Sequence, residues 1–157
     1  MKNQICCFTG HRTIPANKHM QIQKRLEEEI ARLIRQGVRE FLAGGALGFD
    51  TMAALAALKL KELFPHIRLV LVLPCKAQTK SWRGDDKKIY DLIRTQADEA
   101  VYTSEHYYKG CMHVRNRYLV DNSGACVCYL TNAKGGTAYT VAYAIKRQVP
   151  VINLARD

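Results

Sequence analysis

Apolar residues along this chain fall into two regimes: short runs of four to seven, and longer stretches in which they recur every three or four positions. The first suits strands, whose side chains alternate between two faces; the second suits helices that bury one stripe. Six runs read as strands: 4–9, 40–43, 67–73, 99–102, 125–130 and 149–154. The third is apolar on both alternating faces, as a strand covered by helices on each side must be, and is expected at the centre of the sheet.

Helical patterns fill the gaps. Ile22, Leu26, Ile30, Leu33 and Ile34 form one stripe, with Asn17 expected as its cap and Gly37 as its stop. The charged residues on its other faces read as a solvated surface. The segment 51–64 is alanine-rich and stops before Pro65, and its small side chains allow close approach to a sheet. Further helices are expected over 86–95, 113–122 and 137–147. This alternation predicts an α/β fold: a single domain over residues 1–157, its mostly parallel sheet of about six strands carrying helices on both faces.

Composition narrows the class. At 48% hydrophobic and 24% charged residues the chain is globular in type. No apolar run approaches the ~18 residues of a membrane span, and the first ten residues hold no signal-peptide core, so a cytoplasmic protein with no membrane association is expected. Lys and Arg total 24 against 14 Asp and Glu, a net charge of +10 that favours an anionic partner. Cys6 and Cys7 are adjacent in one apolar run and Cys126 and Cys128 lie in another, placements that read as reduced, buried small hydrophobes rather than bridges. There is no Cys-x-x-Cys pair, and no metal-ligand set is expected.

In open parallel sheets ligands bind beyond the carboxyl ends of the strands. Three such exits are rich in glycine, hydroxyl or basic groups: Thr9-Gly10-His11-Arg12, the stretch Gly44-Gly45-Ala46-Leu47-Gly48-Phe49-Asp50, and Thr131 through Gly135-Gly136-Thr137. Glycines let backbone N–H groups approach an oxyanion, and the next helix points its positive end at the same place. Neither glycine loop is followed by Lys-Ser/Thr as in a Walker motif, and the first turn lacks the G-x-G-x-x-G dinucleotide pattern. Asp50 reads either as a helix cap or as a group for ligand hydroxyls or protons. His11 reads either as a phosphate donor or acid, or as a loop histidine bonded to nearby backbone. Arg115-Asn116-Arg117 opens a helix after Gly110, where a guanidinium fork suits a phosphate and Asn116 a ribose or base edge; Arg117 reads equally as surface. Trp82 and the Tyr107-Tyr108 pair are candidates for base stacking, or for core and rim.

Taken together, Gly44-Gly45-Ala46 with Gly48-Phe49-Asp50, Arg115-Asn116-Arg117 and Gly135-Gly136-Thr137 resemble the SLOG superfamily of Rossmann-like proteins, which includes the DNA-processing protein DprA and the LOG phosphoribohydrolases. Thr9-Gly10-His11-Arg12, the stretch from Pro74 to Trp82 with Gln78, and the tyrosine after the last Gly-Gly-Thr resemble its YpsA-like branch. The resemblance implies a nucleotide or nucleotide-sugar ligand held by these loops, bound by a sensor or binder. The phosphoribohydrolases carry a glutamate in a P-G-G-x-G-T-x-x-E pattern; here Thr137 is followed by Ala138, Tyr139, Thr140 and Val141, and no glutamate occurs after Glu105. That departure disfavours glycosidic hydrolysis and leaves single-stranded nucleic-acid binding, in the manner of DprA, as the main alternative. The oligomeric state stays open, with a homo-oligomer compatible.

Overall fold

The computed structural model describes residues 1–156; Asp157, the last residue of the expected domain, lies outside the described residues. Six parallel strands form one sheet in the order β4-β3-β2-β1-β5-β6: β1 (Ile5–Gly10), β2 (Glu40–Ala43), β3 (Arg68–Leu73), β4 (Glu99–Tyr102), β5 (Ala125–Tyr129) and β6 (Val151–Asn153). Five helices alternate with them: α1 (His19–Arg35), α2 (Phe49–Leu63), α3 (Gly84–Gln96), α4 (Cys111–Asp121) and α5 (Gly136–Lys146). The α/β, Rossmann-like architecture expected from the sequence is the one observed.

Strand alternation explains why both faces are covered. Cys6 and Phe8 of β1, Phe41 and Ala43 of β2, Leu69, Leu71 and Leu73 of β3, and Val127 and Tyr129 of β5 join one core with α1, α2 and part of α3. Their neighbours Cys7, Leu42, Val70, Val72, Cys126 and Cys128 join a second core with α4 and α5. All six cysteines are buried, as small hydrophobes in this packing would be.

Two local expectations are corrected and a third holds. The third strand is interior but not central: β1 and β2 hold the middle, and β3 has only β4 outside it. Its two-faced apolarity reports helix cover on each side, a property β1, β2 and β5 share, and says nothing about rank in the sheet. Asn17 does not cap α1; it lies in a short 3₁₀ turn over Ala16–Lys18, and no side chain caps the helix that follows. Gly37 does close α1: at φ +106 it lets its N–H reach the Ile34 carbonyl at 3.0 Å while Val38 N–H reaches Leu33 at 3.0 Å, a Schellman ending with Val38 and Leu33 both buried.

The chain runs outward from β1 to β4 and then crosses back to place β5 on the other flank of β1. Strand order therefore reverses between β1 and β5. The helices that follow these two strands pack on opposite faces of the sheet, the place where open α/β sheets form a ligand crevice.

Candidate functional site

A cleft of about 340 Å³ occupies that crevice, within the range of small-ligand sites. From the expected set it gathers Thr9 and Gly10 at the end of β1, Arg12 just after it, Asp50 on α2, Arg115 and Asn116 on α4, and Gly136 and Thr137 on α5. Gln78, Ser81, Trp82 and Met112 complete its polar and apolar walls with Phe8, Ala46 and Leu119. Elements far apart in sequence meet here because each strand delivers its exit to the same sheet edge.

The other candidates stand outside the cleft lining. Gly44 and Gly45 lie behind it and serve packing: a β-carbon on Gly44 would fall 2.8 Å from both Arg115 Nη1 and Asp50 Oδ2. Gly135 is the residue before α5, with φ +100. His11 lies beside the cleft, where its Nε2 accepts the Thr131 N–H at 2.9 Å and its ring meets Tyr129 edge-on, so it is bonded to backbone, but to that of the β5 exit rather than of its own loop. This bond ties the β1 exit to the β5 exit, and partial burial holds the imidazole below its usual pKa. Arg117 points to the α4–α5 surface, donating to Tyr139 Oη at 2.7 Å, and His113 stacks on the same ring at 4.1 Å between centroids. Tyr107 and Tyr108 are exposed away from the cleft lining, whereas Trp82 belongs to it and leans edge-on against Tyr90.

Arg115 sits one turn into α4 rather than at its opening, and it is 95% buried in effect, with 5% of its surface exposed. Its Nη1 donates to the Gly44 carbonyl at the end of β2, and its Nε donates to Asn116 Oδ1 at 2.8 Å. Nη2 makes only a long contact with Met112 Sδ, 3.9 Å. The guanidinium is thus largely committed to the protein: it pins α4 to the sheet and lends the cleft its charge more than a free fork.

Asp50 lies in the first turn of α2, with 6% of its surface exposed. It caps no helix end; Oδ2 instead accepts the Ala46 N–H at 3.3 Å, bracing the loop before α2. Burial pushes its carboxyl up to about 6, against the pull of Arg115, the Ala46 N–H and Arg12. Oδ1 has no hydrogen-bond partner. Gln78 behaves alike, donating through Nε2 to the Gly45 carbonyl at 3.2 Å while its buried Oε1 stays unpaired.

Gly136 and Thr137 begin α5, and no side chain caps this helix. Its first backbone N–H groups therefore lack intrahelical partners, and its positive dipole end meets the cleft wall. A β-carbon on Gly136 would find only Asn116 Nδ2, at 3.9 Å, so the space before this helix is open. Sequence reasoning missed the role of Gln78, Ser81 and Met112, because 75–83 is a run of turns without periodicity and Met112 reads as helix filler.

Comparisons with known proteins give the chain its family and its fold. The YpsA model, described as the YspA SLOG family, matches residues 6–151. A UPF0398 protein of Halalkalibacterium halodurans is 36% identical over 130 residues, covering 81% of this chain and 69% of that protein. The SPbeta prophage-derived protein YoqJ of Bacillus subtilis is 31% identical over 140 residues, covering 81% and 82%. Among solved structures, DNA processing protein A from Helicobacter pylori, described for its single-stranded DNA binding mode, aligns with TM-score 0.66 at 19% identity over 96% of this chain. DprA from Streptococcus pneumoniae aligns with TM-score 0.64 at 16% identity over 93%. The chain spans only 64% and 48% of these two DprA chains, and at such identity the likeness is one of fold. By the family match across most of its length, the chain belongs to the YpsA SLOG family.

Proposed function

We propose that the cleft between the β1 and β5 exits binds a nucleotide or nucleotide-derived small molecule. The observation that carries this reading is the union, in one cavity, of an uncapped helix start with an exposed arginine, Arg12, and an apolar wall of Phe8, Met112, Leu119 and Trp82. The first part suits a phosphate and the second a base. A ligand that binds only the folded state raises its stability by RT ln(1 + [L]/Kd), so a thermal-shift panel of nucleotides, nucleotide sugars and dinucleotides tests it directly. A shift with one chemical class supports the reading, and no shift with any member at millimolar concentration defeats it.

Single-stranded DNA is the second reading, favoured by the net charge of +10 and by the fold shared with Helicobacter pylori DprA. A strand laid across the surface releases counterions, with log K falling by about 0.7 per contacted phosphate per decade of salt; a mononucleotide in a cleft gives a much shallower slope. Glycosidic hydrolysis is the weakest reading. Asp50 is the one carboxylate among the described residues lining the cleft, and Ala138 to Val141 offer no acid beside the Gly-Gly-Thr turn.

A further inference from the structure

We propose that the cleft chooses its ligand through sugar hydroxyls, an intact ribose diol donating to Asp50 Oδ1; this rests on the nucleotide reading above. The wall carries two buried acceptor oxygens without partners, Asp50 Oδ1 and Gln78 Oε1. Three polar atoms of the same wall are already engaged. Asn116 Oδ1 receives Arg115 Nε, Asp50 Oδ2 receives the Ala46 N–H, and Gln78 Nε2 is spent on the Gly45 carbonyl. Buried acceptors are almost always satisfied in folded proteins, and two exceptions on residues that line one ligand-sized cleft point to a donor that arrives from outside, once a ligand displaces what shields them.

The surroundings narrow that donor. A phosphate brings only acceptors and negative charge, which a carboxylate repels, so the phosphate belongs at the α5 start and Arg12 rather than at Asp50. An ammonium group is disfavoured too, because Arg115 and Arg12 already act on Asp50 as neighbouring positive charges. A neutral donor remains. In a nucleotide the neutral donors common to every base are the ribose hydroxyls, whereas exocyclic amines differ from base to base. A carboxylate oxygen with both lone pairs free can accept from one or both hydroxyls of a cis-diol. A site built around a substrate hydroxyl rejects the analogue that lacks it, because its own acceptor is then left unpaired.

The test is calorimetric titration of the intact protein with AMP, GMP, CMP and UMP, and then with the 2′-deoxy and 3′-deoxy forms of the tightest binder. Removing a sugar hydroxyl should weaken binding about 10- to 100-fold, the range of a hydrogen bond to a charged group. Asp50→Asn, checked for a native far-ultraviolet spectrum, should shrink that ratio several-fold through the ribonucleotide while leaving the deoxy forms nearly unchanged. Equal affinity for the ribo, 2′-deoxy and 3′-deoxy ligands overturns the diol assignment and leaves nucleotide binding standing, with the acceptors turned to a base. A ratio that survives intact in Asp50→Asn overturns the role of Asp50. If no monophosphate binds at all, the diol assignment falls with it, and the nucleotide sugars and dinucleotides of the thermal-shift panel decide the nucleotide reading separately.

Discussion

Arg115 and Asp50 crowd a single point in the protein: the position of a missing β-carbon on Gly44, 2.8 Å from Nη1 of the one and Oδ2 of the other. Gly44 is needed because two charged side chains and a carbonyl that accepts from Arg115 converge on it, a demand of packing that precedes any ligand. Gly44→Ala should therefore cost roughly 1–3 kcal/mol, the usual range for overpacking, in a denaturant titration. Full native stability in that variant would show that the side chains move aside freely.

Arg115→Ala should be severe. It leaves the Gly44 carbonyl and Asn116 Oδ1 short of a donor and removes the cation beside a buried carboxyl. Each buried acceptor left without its donor costs about 1–3 kcal/mol, so the loss should be several kcal/mol in all. Arg115→Lys should rescue little, because one ammonium cannot reproduce the guanidinium's separate Nε and Nη1 directions. Chemical denaturation measures both, and a near-neutral Arg115→Ala would assign the residue to ligand contact alone.

Asp50 sets a pH dependence of definite sign. Its carboxyl is raised to about 6 in the folded state, so the native protein holds that proton more tightly than the unfolded chain. This contribution to stability is present at pH values near 4 and below, is lost as pH rises through the window from about 4 to 6, and amounts to something on the order of 3 kcal/mol. Stability curves of the protein and of Asp50→Asn should differ in slope across that window and run parallel above it. Parallel curves throughout would place the ionisation elsewhere.

Gly136 separates fold from binding. Its β-carbon space is open, so Gly136→Val should keep the native spectrum and melting behaviour while its branched side chain enters the mouth of the cleft. Nucleotide affinity should drop at least tenfold in a thermal-shift titration. Gly135→Val makes a useful contrast, since φ +100 there strains any side chain and should lower stability by itself.

Much of the architecture is readable from the apolar pattern because parallel strands and amphipathic helices impose periodicities of two and 3.6 on the chain. The convergence of Thr9, Asp50, Asn116 and Thr137 is readable too, since all follow strands that end at one sheet edge. What escapes is the partition of labour among them. Arg115 reads as an exposed fork, yet its depth in α4 depends on where Gly110 starts the helix, and one turn decides whether a guanidinium meets solvent or the end of a strand. Gly44 and Gly136 are the same residue type in similar loops; one is filled by neighbours and the other faces space, a difference set by packing across dozens of residues. Gln78 lies in turns whose sequence carries no period, so only the folded chain reveals its buried oxygen.

Strand β1 ends in the cleft, β5 pairs beside it, and the two carry Cys6, Cys7, Cys126 and Cys128, with Cys7 and Cys126 paired in register. Burial pushes the Cys6 thiol far up and Cys128 to about 12, and a hydrogen bond with Cys7, together with burial, raises Cys126 as well, so in the closed sheet they are poor nucleophiles as well as inaccessible ones. A thiol reagent can reach them only when the strands part, and its rate then measures how often the centre of the sheet opens. The His11–Thr131 bond holds the exits of these two strands together, and a ligand spanning the same gap adds a second tie. The native cysteines therefore make the protein its own sensor of occupancy: whatever fills the cleft should slow their labelling, without any probe having to be introduced.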